Sequence, residues 1–504
     1  MRNLKRALSL ALAAIMLIGM MVVSASAASY NNLTDKDEIV NKDAVSMLVS
    51  LGIIEGKPDG SYGPTENVDR AQMAKMLSVI MNKGVDNSAL YQSVNSGLTD
   101  ITSNWAKGHI NYCYTTGIIA GRGNGTFDPS ATVTALEAAK MLLVAVGYDP
   151  AIEGFEGADW AINVSVRADE QGIFEGFTKD LSAPLNRDDA ALLIYNALDV
   201  EMIQSYTTNN YPIAYSDHRT ILADKYGVIK VQGVVVANEW ASLASDDGDA
   251  ALKEGKTTIY NGEGIFSTTG NTTVSKEDAS LKAQTFNVST PVDMLGKTVN
   301  LYIKKTTILA DSTVYGDPVV SDVNTVVTTG ETVLYSGAKD PQVDYDKLLG
   351  ENGLTDKDAK YFWNYNSGKY IPNTTEKYGD KTANVKGATL TIIDNNGDGE
   401  VDYVLSVEKA LADITSVNSK KETVTVRTLG TLDNKDVVGY EDMAKEDVVL
   451  YVQYGGRTYL EKPEVVTGEM EHFNVKGTEK YMTVGGEKYN CLLYTSDAAD
   501  DGES

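Results

Sequence analysis

Three copies of a short glycine motif lie within the first 202 residues, and this repeat decides the fold. The copies are Gly52-Ile53-Ile54, Gly117-Ile118-Ile119 and Gly172-Ile173-Phe174, each followed by a second glycine at Gly56, Gly121 and Gly176. A helix-like stretch precedes each motif, and a second one follows a Gly-rich turn. The spacing gives each unit the length of a helical hairpin. One hairpin alone buries little apolar surface, so we expect the three units to share one core.

The second helix of each unit begins with residues that cap helices. The pairs are Asp69 with Gln72, Thr134 with Glu137 and, as an imperfect capping box with Asp in third place, Asn186 with Asp189. Apolar residues at helical spacing follow the caps. We expect Gly84 and Gly147 to end the first two of these helices.

Arginine occupies the first helical position after the cap in two of the three units. The residues are Arg70 and Arg187, and Ala135 stands at the same place in the middle unit. A guanidinium beside the free N–H groups of a helix start forms a site for a carboxylate or phosphate. A solvated surface arginine is the alternative for either one alone, but the recurrence favours a ligand.

The first 27 residues have the pattern of a secretory signal peptide. Arg2, Lys5 and Arg6 precede an apolar run from Ala7 to Val23, and Ala25-Ser26-Ala27 is a small-residue cleavage site. An uncleaved anchor helix is the alternative, which the cleavage motif argues against. Since no other apolar stretch approaches membrane-spanning length, we expect an exported protein without a membrane span.

Composition restricts the partners of the chain. The formal net charge is −26, and loss of the three cationic signal residues makes it more negative. Such a charge repels nucleic acid and anionic membranes and is typical of a solvated surface protein. Two cysteines, Cys113 and Cys491, are too few for a disulfide scaffold. At 504 residues the chain is long enough for several domains.

Residues 30 to 202 resemble three S-layer homology repeats, which we place at 30–84, 95–149 and 155–202. The middle repeat carries the family motifs as Leu98-Thr99-Asp100, Trp105-Ala106, Gly117-Ile118-Ile119-Ala120-Gly121, Gly125-Thr126-Phe127-Asp128-Pro129 and Thr134-Ala135-Leu136-Glu137. The first has Leu33-Thr34-Asp35, Asp59-Gly60-Ser61-Tyr62-Gly63-Pro64 and Asp69-Arg70-Ala71-Gln72, with Val40 in place of the Trp. The third keeps Trp160-Ala161 and Arg187 but has Phe155 where the family has Asp.

The resemblance implies a pseudo-threefold helical bundle whose grooves bind a secondary cell wall polymer with a pyruvylated amino sugar. It implies that Arg pairs with the ketal carboxylate and that Asp and Trp shape the sugar pocket. The residues nominated in this way are Arg70, Arg187, Asp35, Asp100, Trp105 and Trp160. The Trp residues could instead be core residues and the Asp residues turn caps. The absence of Arg at position 135 suggests that not every groove binds.

The sequence pattern of residues 205–490 is typical of strands and turns. Alternating and β-branched runs at 227–236, 297–303 and 422–426 are separated by Gly, Asn and Asp turns. The fold class we expect is therefore α plus β multidomain, with the helical repeats followed by β-sandwich or barrel-like surface modules.

An acidic segment within this region resembles a calcium-binding loop. Asp394, Asn396, Asp398 and Asp402 place oxygen atoms at positions one, three, five and nine of an EF-hand-like loop. Position twelve is Leu405 and a strand follows, so the ligand set is incomplete. The segment is either a weak Ca²⁺ site or an acidic hairpin turn.

The last residues, 491–504, resemble translated sequencing-adapter sequence, and we interpret them as a non-native read-through tail. A disordered acidic tail is the alternative.

The sequence shows no catalytic signature, and no cofactor is required for the function that we expect. That function is non-covalent anchoring to the cell wall polymer and a structural role in an S-layer or surface coat, with lateral self-assembly. The alternatives are a wall-anchored polysaccharide hydrolase and an adhesin, each with a truncated C-terminal domain.

Overall fold

The computed structural model describes residues 30–243, 251–262, 282–304, 311–329, 345–367, 388–463, 465, 467–474 and 481–490. The predicted signal peptide, 1–27, and the predicted non-native tail, 491–504, lie outside these residues. The described chain contains helices and several sheets, so it is a mixed α and β protein with more than one domain. It forms two compact units. The first holds the described residues up to Val231 and within 301–319, and the second holds the others.

Six α-helices of the first unit come in three pairs along the chain. They are α1 (Lys42–Ser50), α2 (Arg70–Met81), α3 (Lys107–Thr115), α4 (Ala135–Val146), α5 (Trp160–Glu170) and α6 (Arg187–Leu198). The first helix of one pair packs on the second helix of another, since α3 contacts α2, α5 contacts α4, and α1 contacts α6. Helix α4 also contacts both α2 and α6, so the second helices of the pairs meet.

The glycine motif ends the first helix of each pair. Gly52, Gly117 and Gly172 have φ angles of +69°, +79° and +70°, a left-handed conformation that glycine adopts without strain. The amide of the next residue then donates to a carbonyl five positions back, as Ile53 does to Leu48 at 2.9 Å. This geometry is that of a Schellman C-cap, so the predicted helix ends are confirmed.

The predicted caps are also present. Asp69 and Thr134 form capping boxes with Gln72 and Glu137, whereas Asn186 accepts a hydrogen bond from the amide of Asp189. Gly147 ends α4 in the left-handed conformation as predicted. Helix α2 instead ends at Met81, three residues before Gly84.

A closed ring of backbone hydrogen bonds joins the segments before α2, α4 and α6. The amide of Val68 donates to the carbonyl of Leu185, that of Leu185 to Val133, and that of Val133 to Val68, at 2.8–2.9 Å. All three side chains are buried. Because each repeat donates to one neighbour and accepts from the other, no repeat completes this ring without the other two.

The core of the first unit extends past the helices. Two strands, β1 (Ile203–Tyr206) and β2 (Pro212–Ala214), form a hairpin, a π-helical turn covers Leu222–Tyr226, and β3 spans Val228–Asn238. Ile221, Leu222, Val228 and Tyr302 join the same apolar cluster as the helices. The first unit therefore continues beyond residue 202 because these side chains complete its core.

The remaining elements are mainly strands. They are β4 (Thr257–Tyr260), β5 (Ala283–Phe286), β6 (Thr298–Lys304), β7 (Thr313–Val320), β8 (Thr325–Thr329), α7 (Tyr345–Glu351), β9 (Lys360–Trp363), β10 (Asn366–Ser367), β11 (Ala388–Asp394), β12 (Tyr403–Glu408), β13 (Ala410–Asn418), β14 (Thr423–Val426), β15 (Gly430–Asp433), β16 (Val437–Val438), β17 (Val448–Tyr454), β18 (Arg457–Glu461), β19 (Met470–Asn474), β20 (Tyr481–Val484) and β21 (Glu487–Asn490). The three quoted sequence runs correspond to β3, β6 and β14, so the prediction of strands there is confirmed.

These strands form sheets of different sizes. The orders are β5-β4-β3-β6-β7, β10-β9-β12-β11-β8, β15-β14-β13-β17-β18-β16 and β19-β20-β21. Pairing is mainly antiparallel, with parallel pairs between β12 and β9 and between β16 and β18. In the part of the chain that the structure describes, no helix has the length and apolar character needed to cross a membrane.

Candidate ligand-binding clefts

Arg70 is buried and reaches from the start of α2 to a loop of the second repeat. Its Nε donates to the carbonyl of Phe127 at 2.9 Å, and Nη2 donates to that of Ala120 at 2.8 Å. The guanidinium lies 4.4 Å from the centroid of the Phe127 ring. Burial, and next the neighbouring Arg122, lower the pKa of Arg70, but an arginine keeps its charge at neutral pH.

Arg187 repeats this arrangement between the third and first repeats. Its Nε donates to the carbonyl of Tyr62 at 2.9 Å, its Nη2 to that of Glu55 at 3.2 Å, and its guanidinium lies 4.7 Å from the Tyr62 ring centroid. Each arginine therefore uses Nε and Nη2 to bind a loop and rests on an aromatic face. This fixes the orientation of the planar fork, a geometry suited to binding a carboxylate.

Asp35 and Asp100 hold the loops on which the arginines rest. The two carboxylate oxygens of Asp35 accept from the amides of Tyr62 and Gly63 at 2.7 and 2.8 Å. Those of Asp100 accept from the amides of Phe127 and Asp128 at 2.9 and 2.7 Å. Partial burial opposes ionisation, but the amide hydrogen bonds outweigh it and the pKa of both carboxyl groups is lowered. These aspartates close the loops that bind the arginines, and their role in shaping a sugar pocket stays a prediction.

A cleft of about 580 Å³ opens beside Arg70. Its lining includes Arg70, Arg122, Glu137, Lys140, Phe155 and Trp160. Three separate helix pairs contribute to this set, since Arg70 comes from the first pair, Lys140 from the second and Trp160 from the third. Trp160 is half-buried against the core, and Lys140 Nζ lies 5.7 Å from its ring centroid. The cleft thus combines cationic groups with an aromatic side chain, which suits an acidic sugar.

The second predicted tryptophan, Trp105, lies on the surface of the helical region. Trp105 is 57% exposed, so it is not a core residue. Its ring packs edge-on against His109, whose Nδ1 is 2.5 Å from Ser78 Oγ on α2. Lys75, also on α2, forms an ion pair with Glu55 at 3.8 Å, and the carbonyl of Glu55 binds Arg187.

The acidic segment in the second unit closes a hairpin between β11 and β12. The carboxylate of Asp394 accepts from the amides of Asn396, Gly397 and Gly399. Asn396 and Asp398 bind the amides two residues after them, and Asp402 binds that of Asn395. Within the described residues no group of three or more His, Cys, Asp or Glu side chains is arranged around a possible metal position. Calcium binding by Asp394, Asn396, Asp398 and Asp402 stays a prediction.

Sequence reasoning missed Lys140, which lines the cleft, and Lys75 at the equivalent position. Lys75 and Lys140 each lie five residues after the first residue of their helices, at equivalent places in two repeats. The repeated position was a visible signal. A binding role could be assigned to these lysines only with knowledge of the loop and the tryptophan that pack near them.

Comparison with known families identifies the first two repeats. The model of the S-layer homology domain matches residues 32–74 and 97–139. These matches cover most of the first two predicted repeats, and the third repeat, 155–202, stays a prediction.

Known proteins similar to this chain include several from cell surfaces. The "Cell surface protein" of Thermoanaerobacter kivui is 27% identical over 270 residues, which are 53% of this chain and 32% of that protein. The "S-layer protein" of Bacillus licheniformis is 33% identical over 113 residues, 22% of this chain and 12% of the relative. An "Amylopullulanase" of Thermoanaerobacterium thermosulfurigenes is 30% identical over 173 residues, 31% of this chain and 9% of the enzyme. The chain thus spans a third or less of the length of these relatives.

Proposed function

Since this chain is a cell-surface protein that contains S-layer homology domains, we propose that it is anchored non-covalently to a secondary cell wall polymer. The ligand is an acidic glycan that ends in a pyruvylated amino sugar. The protein's role is structural, in an S-layer or surface coat, and this role needs no chemical reaction.

The observation that carries this proposal is the cleft shared by Arg70 and Trp160. A pyruvate ketal has a carboxylate fixed to a sugar ring, so its binding site needs a cation and an apolar or aromatic face at short range. The chain as a whole is strongly acidic, and an acidic polymer is repelled from most of its surface. The cleft lining contains Glu137 and Glu156 as well as Arg70, Arg122 and Lys140, and Arg122 is paired with Glu137 and Asp128. Arg70 and Lys140 therefore supply the positive charge for a ligand carboxylate.

We also propose that the three repeats form a pseudo-threefold bundle. The cyclic packing of α1 on α6, α3 on α2 and α5 on α4 supports this arrangement. The ring of hydrogen bonds through Val68, Leu185 and Val133 supports it further. In such a bundle every groove lies between repeats, and therefore the ligand sites depend on all three repeats being folded together.

The β-rich region is proposed to supply the outward face of the coat. Its strands form sheets of five, six and three strands, which we propose to belong to sandwich or barrel-like modules. Lateral association of these modules between neighbouring copies would build the layer, while the helical repeats hold each copy at the wall.

Co-sedimentation with purified cell walls tests the anchoring. The full chain is mixed with native walls and with walls from which pyruvate has been removed enzymatically. Binding to native walls and loss of binding after pyruvate removal is the expected result. Equal sedimentation with both wall preparations would reject the pyruvylated ligand, and no sedimentation with either would reject wall anchoring.

A further inference from the structure

The three repeats differ at the positions that line the inter-repeat clefts. The first helical position of α2, α4 and α6 holds Arg70, Ala135 and Arg187. The position five residues later holds Lys75, Lys140 and Leu192. The position twelve residues before the first motif glycine holds Val40, Trp105 and Trp160. The cleft beside Arg70 takes these three positions from three different helix pairs, as Arg70, Lys140 and Trp160.

The cleft beside Arg70 contains a second cationic side chain, that of Lys140. Lys140 lines it and is half-buried, with Nζ donating to the carbonyl of Phe155 at 2.6 Å. Among the described residues, no carboxylate lies within ion-pair distance of this ammonium group. Burial lowers the pKa of Lys140, and the carboxylate of Glu156, which lines the same cleft, partly offsets this effect. Since Arg70 and Trp160 line the same cleft, this ammonium group adds a second cation for an acidic sugar.

The positions equivalent to Arg70, Lys140 and Trp160 hold Arg187, Lys75 and Trp105. Lys75 pairs with the carboxylate of Glu55, whose carbonyl accepts from Arg187. The exposed Trp105 reaches this helix through His109 and Ser78. The difference is that Lys75 already has a carboxylate partner, so a ligand must compete with Glu55 for its charge.

The third combination of these positions lacks the arginine, the lysine and the tryptophan. Ala135 replaces the arginine, Leu192 the lysine and Val40 the tryptophan. The Leu192 side chain lies near Gly176, which is the glycine equivalent to Gly56 and Gly121. A Cβ atom added at Gly176 would lie 3.8 Å from Leu192. The carbonyl of Glu175, equivalent to those that bind the arginines, accepts from Asn196 of its own repeat. An acidic sugar would meet no cation from these positions.

We infer that the chain has two acidic-glycan sites rather than three, and that Lys140 and Lys75 are second cationic binding residues beside Arg70 and Arg187. This inference rests on the proposed function. The site with Lys140 binds more tightly, because Lys140 forms no ion pair within the described residues, whereas Lys75 is paired with Glu55. The third combination, which consists of Ala135, Leu192 and Val40, contributes to the bundle but not to anchoring.

Isothermal titration calorimetry of the full chain tests this inference. The probe is the methyl glycoside of a 4,6-pyruvylated N-acetylhexosamine, which binds each site once. We expect two molecules bound per chain, and one after Arg70→Gln or Arg187→Gln. Three bound molecules would overturn the two-site inference while leaving wall anchoring intact. Absence of binding to the wild-type chain would instead contradict the proposed function.

Lysine variants test the second cation. Lys140→Met should weaken the tighter site by roughly tenfold or more, the usual effect of losing a hydrogen bond to a charged group. Lys140→Arg should restore most of the affinity because it restores the charge. The matched control is Lys83→Met, which removes an exposed cation beyond the opposite end of α2. If Lys140→Met binds like this control with an unchanged thermal midpoint, Lys140 is not a binding residue.

Discussion

The guanidinium of Arg70 lies 4.4 Å from the ring centroid of Phe127 and donates a hydrogen bond to the carbonyl of the same residue. One residue thus provides both the face and the acceptor that hold the arginine, and Tyr62 does the same for Arg187. The arginines are oriented before any ligand arrives. Pre-organisation of this kind reduces the entropy lost on binding.

The aromatic support of Arg70 can be removed without removing its charge. Phe127→Leu keeps an apolar side chain but removes the ring face, so we expect a loss of about 1–2 kcal/mol in unfolding free energy. Wall affinity should fall severalfold because the guanidinium loses its fixed orientation. Urea unfolding and wall sedimentation measure the two effects. Wild-type affinity in the folded variant would show that the ring does not orient Arg70.

The Asp35 carboxylate should stabilise the first repeat in a pH-dependent manner. Its two amide hydrogen bonds lower its pKa in the folded protein despite the opposing effect of burial. The contribution is therefore full above the unfolded pKa of about 4 and is lost as pH falls through the lower folded pKa.

Asp35→Asn, which keeps one acceptor oxygen, should cost about 1–2 kcal/mol at pH 7. The difference from wild type should shrink at the acidic end of a urea-unfolding series. A constant difference across that series would mean that the carboxylate charge plays no part in holding the loop.

His109 should make stability fall on mild acidification. It is buried, and burial lowers its pKa more than Asp86 raises it, with Lys75 adding to the decrease. The unfolded chain therefore takes up the proton more readily, so stability is full above about pH 6.5 and falls as pH decreases toward the folded pKa. His109→Gln should remove this part of the pH dependence between pH 7.5 and 5, as measured by thermal unfolding. An unchanged slope in the variant would assign the effect to other groups.

The cap of α4 offers a smaller, local test. Thr134 accepts from the amide of Glu137 and completes a capping box. Thr134→Ala should lower the free energy of unfolding by about 1 kcal/mol, whereas Thr134→Ser should be close to wild type because its hydroxyl accepts the same bond. Equal stability of the alanine and serine variants would contradict this role of the side chain.

The features predicted from sequence are those that depend on neighbours in the chain. Gly117 ends a helix because only its own φ angle and the next few residues are involved, and Asp69 caps one through Gln72, three residues away. The antiparallel hairpin around Asp394 is equally local, with Ile393 paired to Tyr403. Such signals need no knowledge of the tertiary fold.

The clefts depend on residues far apart in sequence, and this limited what sequence could predict. Arg70 was nominated from its place after a helix cap, but its contact with Phe127 and Ala120 joins two repeats. Lys140 was not nominated, because on its own helix it is an ordinary polar residue. Only the packing of α5 on α4, which brings Trp160 to it, gives it a role.

The most direct test of the account combines a protein change with a ligand change. Wild-type chain and the double variant Arg70→Gln, Arg187→Gln are each titrated against native walls and walls without pyruvate, after circular dichroism confirms equal folding. Pyruvate removal should abolish high-affinity binding of the wild type and leave the weak binding of the double variant unchanged. If pyruvate removal still weakens binding of the double variant as strongly as that of the wild type, these arginines do not bind the ketal carboxylate.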